Sequence, residues 1–223
     1  MKLLAIGDVV GSLGCEYLRK KLPILKKEHN IDFVIANGEN SADGNGIIPF
    51  SVNHLFKSGV DVITTGNHSF RRREIYNVFN SENNLIRPAN FPHESTPGNG
   101  FCVIDMLKYK IVVINLIGTI YMESMDCPFK TIDKILNKCG QDCITIVDFH
   151  AEATSEKRAL GFYLDGKVSA VFGTHTHVPT ADACILPGGT GYITDIGMTG
   201  VIHSALGIKP DIIIKKLTTK MPV

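Results

Sequence analysis

The 223-residue sequence has no tryptophan, and no apolar run in it approaches the roughly 18–20 residues that a membrane-spanning helix needs. Its apolar start, Met1-Lys2-Leu3-Leu4-Ala5-Ile6, is cut by Gly7-Asp8. A secretory core takes about 7–15 apolar residues, so this segment reads as a first strand, not a signal peptide. Surplus charge is missing too: 23 Lys and Arg face 22 Asp and Glu, a formal net charge of +1. That excludes a broad field able to gather long nucleic acid. A small anionic ligand stays open, because a metal site brings its own charge. The six cysteines (Cys15, Cys102, Cys127, Cys139, Cys143, Cys184) are scattered and follow no export signal, which points to reduced thiols in a cytoplasmic protein. Only Cys139 and Cys143 lie close together and no second pair follows, so a structural zinc site is not expected. There is no internal repeat, low-complexity tract or linker.

What is present is the balance of a globular chain, 44% hydrophobic and 20% charged, long enough for one well-buried α/β domain over residues 1–223. Short Val- and Ile-rich runs bounded by Gly, Asn and Asp predict buried strands at Lys2–Ile6, Phe33–Ala36, Asp61–Thr64, Lys110–Asn115, Cys143–Asp148, Val168–Phe172 and Gly191–Thr194. Phe101–Met106 and Ile212–Leu217 read as strands of mixed pattern. Helices are predicted over Leu13–Lys27, from Pro49, and over Arg73–Asn80, Ile132–Lys138 and Thr154–Leu164. Such alternation implies a largely parallel sheet wrapped by crossovers. The Gly/Pro-rich stretch Asn90–Gly100 reads as a surface loop between two sheets.

The polar residues fall in a pattern. Five of the apolar strands run into Gly7-Asp8, Asn37-Gly38-Glu39-Asn40, Gly66-Asn67-His68, Asp148-Phe149-His150 and Gly173-Thr174-His175-Thr176-His177. Each has an ordinary reading alone: Asp8 as a helix cap, Glu39 and Asn40 on a solvated loop, His150 as a structural histidine. Together they put carboxylates, amides and imidazoles at the C-terminal strand edge, where ligands bind in open α/β sheets. Two metal ions about 3.5–4 Å apart ask for a bridging carboxylate with imidazole and oxygen ligands around it. A donor set without thiolates suits manganese, iron or zinc. A histidine left off the metals can protonate a departing oxygen.

These blocks resemble a known family. Gly66-Asn67-His68 and Gly173-Thr174-His175-Thr176-His177 are similar to the GNH and GHxH motifs of calcineurin-like metallophosphoesterases. Gly7-Asp8-Val9-Val10-Gly11, Asn37-Gly38-Glu39-Asn40, Asp148-Phe149-His150-Ala151-Glu152 and Asp195-Ile196-Gly197-Met198-Thr199-Gly200 resemble the bacterial YmdB-like subfamily. The resemblance implies a four-layer sandwich, two mixed β-sheets flanked by helices, with two iron or manganese ions at one edge and zinc as a further option. It implies that Asp8 and His177 hold the first ion with Asn40 as a further ligand. Glu39 would bridge, and Asn67, His150 and His175 would complete the second site, with His68 as general acid. Val10 stands where the wider superfamily has a histidine, Glu39 replaces the usual bridging aspartate, and Ser69-Phe70-Arg71 replaces Thr-Trp-Asp. Relatives carry a β-rich tail beyond Ile212–Leu217 that is lacking here, and they suggest a homo-oligomer.

The activity implied is hydrolysis of 2′,3′-cyclic nucleotides through a hydroxide shared by the ions, so the partner expected is a small phosphodiester, with no membrane and no strong bulk nucleic-acid binding. The alternatives are a phosphomonoesterase or protein phosphatase with the same centre, and a metal-containing regulatory or RNA-associated scaffold. Arg71-Arg72-Arg73 reads as a solvated helix start or as a phosphate contact. Asp43-Gly44-Asn45-Gly46 reads as a turn lining the site's entrance. Glu152 reads equally as support for His150 or as a helix-start carboxylate.

Overall fold

The computed structural model describes residues 1–140 and 143–222. Its first half runs β1 (Leu3–Ile6), β2 (Asp8–Val9), α1 (Gly11–His29), β3 (Phe33–Asn37), α2 (Pro49–Lys57), β4 (Val62–Thr64) and α3 (Tyr76–Ser81), the last preceded by a 3₁₀ turn at Arg73–Ile75. The second half runs β5 (Phe101–Asp105), β6 (Lys110–Ile117), α4 (Pro128–Cys139), β7 (Cys143–His150), α5 (Thr154–Tyr163), β8 (Ala170–Thr174), β9 (Cys184–Ile185), β10 (Gly191–Ile193), β11 (Met198–Thr199) and α6 (Pro210–Thr219).

One sheet is parallel, in the order β1-β3-β4, and a larger mixed sheet runs β5-β6-β7-β8-β10-β9, with β5 and β9 antiparallel to their neighbours. A short parallel pair joins β2 to β11. The period-two alternation of strand side chains explains why two sheets can stack. In β3, Val34 and Ala36 pack with Leu18 and Leu22 of α1 and Leu55 of α2, while Phe33 and Ile35 face the other sheet. In β6, Ile111 and Val113 meet them in that central core, and Val112, Ile114 and Leu116 pack outward with Ile132 of α4 and Leu160 of α5. Three cores separate four layers, helices, sheet, sheet, helices, as the family resemblance implies. The chain crosses between the sheets through the loop that includes Asn90–Gly100.

The helices start and stop on local chemistry. Leu18 and Leu22 of α1 recur at the helical period and are buried, and Asn30 ends the helix at φ 53°, where its short polar side chain tolerates the left-handed region. Pro49 opens α2, and Ser51 Oγ accepts the Ile48 N–H at 3.1 Å.

Ile212–Leu217 is the one predicted strand that forms differently: it lies inside α6. Pro210 in the first turn and Asp211 beside the helix N-terminus favour a helix start. The three isoleucines suggested a strand by composition alone, and no residue of α6 is buried. Among the described residues, no helix is long and apolar enough to cross a membrane.

Candidate metal centre

The C-terminal ends of the strands of both sheets meet at one edge. Asp8 follows β1 in the short β2, Glu39 and Asn40 follow β3, and Asn67 and His68 follow β4. His150 ends β7, while His175 and His177 follow β8. Five of these groups follow β1, β3 and β4, and three lie at the ends of β7 and β8. All of the sequence-predicted site residues are brought into this one neighbourhood.

Four donors converge on one side. The Nε2 of His150 lies 2.9 Å from Asn67 Oδ1, 3.1 Å from His175 Nδ1 and 3.3 Å from Glu39 Oε1. Glu39 and His150 are essentially fully buried. On the other side, His177 Nε2 stands 3.6 Å from Asp8 Oδ1 and 3.3 Å from Asn40 Nδ2. Glu39 spans the two sides, because its Oε1 also accepts from Asn40 at 2.9 Å, while its Oε2 accepts the His68 N–H at 3.0 Å. Gly66 makes this closeness possible: a Cβ there would collide with the His150 ring and Glu39 Oε2.

Electrostatics follow from the crowding. Burial would raise the Glu39 carboxyl, but the charge and hydrogen bonds of His150 and His68 outweigh it and hold it well below the usual range. Burial would likewise lower His150, but Glu39 first, then Asp8 and Asp148, push it up to about 9. His175 is lowered by burial and by repulsion from His150. Burial opposes charge on His177, and the neighbouring Asp8 carboxylate overcomes this and raises it.

The residues fit divalent ions. Asp8 Oδ1 and His177 Nδ1 are buried with no hydrogen-bond partner, a costly state for polar atoms unless a ligand completes them. Carboxylate, imidazole and amide oxygen are the donors that manganese, iron and zinc accept. Glu39, His150 and His175 can each aim one ligand atom into a single cluster. Asn40 differs from the others: its Oδ1 lies 3.0 Å from His68 Nδ1 and its amide N–H groups face Glu39 and His177. In that orientation it serves His68, and ligating an ion requires the amide to turn over.

Supporting contacts explain how the rings are aimed. Thr174 Oγ1 takes the Nδ1 side of His150 at 2.9 Å and donates to Asp148 Oδ1 at 2.7 Å, which leaves Nε2 for the centre. Burial raises the Asp148 carboxyl to about 6 despite the opposing hydrogen bonds from Thr64 and Thr174. Glu152, weighed from the sequence as a partner of His150, lies instead against His175, Oε2 to Nε2 at 3.0 Å. Arg72 acts on backbone: it donates to the carbonyls of Asp43 at 2.8 Å and Asn45 at 3.1 Å, while Arg71 and Arg73 are exposed.

The centre floors a cavity of about 650 Å³, lined by Glu39, His68, His175 and His177 and walled by Asp43–Asn45. Leu13, Leu206 and Ile208 form an apolar part of its rim.

The model of the family described as YmdB-like protein matches residues 4–223. The chain is 47% identical over 224 residues to the 2′,3′-cyclic-nucleotide 2′-phosphodiesterase of Bacillus subtilis, covering 100% of this chain and 84% of that protein. A crystal structure of a hypothetical protein from Thermus thermophilus superposes with a TM-score of 0.94 at 41% identity, covering 100% of this chain and 86% of that one. A structure described as a novel phosphatase from Mycoplasma pneumoniae gives 0.92 at 38% identity, covering 99% of this chain and 80% of that one.

Proposed function

The chain belongs to the YmdB-like protein family, and from that premise we propose that it is a metal-dependent phosphodiesterase acting on 2′,3′-cyclic nucleotides. The observation that carries the proposal is the convergence of Glu39, Asn67, His150 and His175 beside the unpartnered Asp8 Oδ1 and His177 Nδ1. Asp8 and His177 would hold one ion, Asn67, His150 and His175 the other, and Glu39 would be shared. Asn40 would add a ligand to the first ion only with its amide turned. Two such ions supply positive charge for phosphoryl oxygens and activate water at neutral pH. Manganese or iron suits these donors best, and zinc is compatible.

The chain's own residues do the rest. Pairing His68 Nδ1 with Asn40 Oδ1 fixes that nitrogen as the donor and leaves Nε2 to carry a proton. His68 lines the cavity, so that proton is available to the nucleoside oxygen released when the cyclic ester opens. The apolar rim at Leu13, Leu206 and Ile208 offers a surface for the remainder of a nucleotide. The unpaired thiols suit a cytoplasmic setting.

The test compares kcat/KM on 2′,3′-cyclic nucleotides, bis(p-nitrophenyl) phosphate and p-nitrophenyl phosphate with Mn²⁺. A clear preference for the monoester would move the chain to the phosphomonoesterase reading, which the solved phosphatase relative favours. His68→Ala should lower kcat by about 10²–10⁴-fold with metal content unchanged. Unaltered turnover in that variant would remove His68 from the mechanism. Elemental analysis showing less than about one ion per chain after Mn²⁺ or Fe²⁺ is supplied would sink the metal centre itself.

A further inference from the structure

The turn carrying His175 and His177 is constrained backbone. Both residues sit at positive φ, 98° and 65°, a region that L side chains adopt only when their surroundings impose it. Thr176, between them, is the sole residue linking the two sides of the centre through this turn. What holds it is a buried ion pair that sequence reasoning did not single out.

Asp195 follows β10 and is 1% exposed, and Lys157 on α5 is equally buried. Lys157 Nζ donates to Asp195 Oδ2 at 2.6 Å and to the Thr174 carbonyl at 2.7 Å. The same Oδ2 accepts both the Thr176 N–H at 3.2 Å and the Thr176 hydroxyl at 2.7 Å. The other carboxylate oxygen accepts the Gly197 N–H at 2.8 Å, and the Asp195 N–H donates to Thr180 Oγ1 at 3.0 Å. Every charge in the cluster is therefore compensated or hydrogen-bonded, as a buried pair requires. A cation and an anion fixed in this way make a rigid anchor, and the anchor grips the turn on both sides of His175.

We propose that Asp195, with Lys157 compensating its charge, is a positioning residue that holds Thr176 so that His175 and His177 aim at the two halves of the centre. Geometry distinguishes this from a general packing role. Neither Asp195 nor Lys157 makes a hydrogen bond to His150, Glu39 or Asp8, so their influence reaches the centre through Thr174 and Thr176. Releasing Thr176 frees both imidazoles together, and the two halves should weaken together.

The inference rests on the metal-centre reading, and the experiment separates the two. Mn²⁺ binding is measured by calorimetry for wild type, Asp195→Asn, Thr176→Val and Thr176→Ser, alongside urea unfolding of each without ions. If wild type binds no ions, the metal-centre reading fails first, and the positioning role falls with it. If wild type binds, Thr176→Val should lose about 10–100-fold in affinity at both sites, because outer contacts of metal ligands carry that much. Thr176→Ser, which keeps the hydroxyl, should stay within about threefold of wild type. Asp195→Asn should weaken both sites at least as much as Thr176→Val, and if it does not fold, the threonine pair decides. Wild-type affinity in Thr176→Val, even with lowered urea stability, would reduce the cluster to structure only and overturn the proposal. Equal losses in Thr176→Val and Thr176→Ser would overturn it as well.

Discussion

Gly66→Ala is the smallest change that should disable the centre. A Cβ at Gly66 would collide with the His150 ring and with Glu39 Oε2, two groups of one ligand cluster. Ordinary contact begins near 3.4 Å, so both have to retreat by about an ångström. Ligand distances are typically held within about 0.2 Å, several times less than that retreat. Losses of about 10–100-fold follow changes in the outer contacts of ligands, so a displaced ligand should cost about 100-fold or more. That corresponds to about 2.8 kcal/mol of binding, at about 1.4 kcal/mol per tenfold. Overpacking adds about 1–3 kcal/mol of lost fold stability. Mn²⁺ calorimetry reads the first quantity, and urea unfolding of the ion-free protein reads the second. Ion affinity within about threefold of wild type would mean that the ring and carboxylate relax freely, and the argument from close packing would be wrong.

Thr174→Val removes the hydroxyl between His150 Nδ1 and Asp148 Oδ1, leaving two buried groups short of a partner. At about 1–3 kcal/mol for each, urea stability should fall by about 2–6 kcal/mol, with Thr174→Ser close to wild type; a change under about 0.5 kcal/mol refutes the relay. Arg72→Ala releases the carbonyls of Asp43 and Asn45 in the cavity wall, and should raise KM several-fold while leaving kcat within about twofold; an unchanged KM would separate that wall from substrate. His150 is opposed by burial but pushed up to about 9 by Glu39, Asp8 and Asp148, so at neutral pH its ring carries a proton that an ion must displace. Ion affinity should climb between pH 6.5 and 8.5 and level off above about 9; the same affinity at pH 6.5 and 8.5 would contradict that competition.

The layout of the centre was readable because each polar block ends an apolar strand and glycine marks the tight approach. Parallel strands aligned in one direction bring such ends together without further information. The partners of the blocks were not readable. Lys157 sits in an amphipathic helix where a lysine ordinarily reads as solvated, and only the fold buries it against Asp195. Glu152 was placed near His150 by sequence distance, yet the turn after β8 carries His175 within reach of it. Arg72 looked like surface charge or a phosphate contact, and its hydrogen bonds go to backbone carbonyls across the chain. Ile212–Leu217 misled because β-branched composition outweighed the proline and aspartate that begin α6. The two-residue strands β9 and β11 are too short to leave a period.

Asp148 also joins the two sheets. It belongs to β7, yet its carboxylate accepts from Thr64 of β4 at 2.5 Å and from Asn37 of β3 at 3.1 Å. Asp8, Glu39 and Asn67 follow the strands β1, β3 and β4 of one sheet, and His150, His175 and His177 lie at or after the ends of β7 and β8 of the other, so the seam and the ligand cluster are the same place. Sliding one layer over the other would break the buried polar links and pull the cluster apart in a single motion. An ion that binds only the docked arrangement stabilises that docking by mass action. Slowed amide exchange at the facing strands β3 and β7 on ion addition would record the two layers being riveted together.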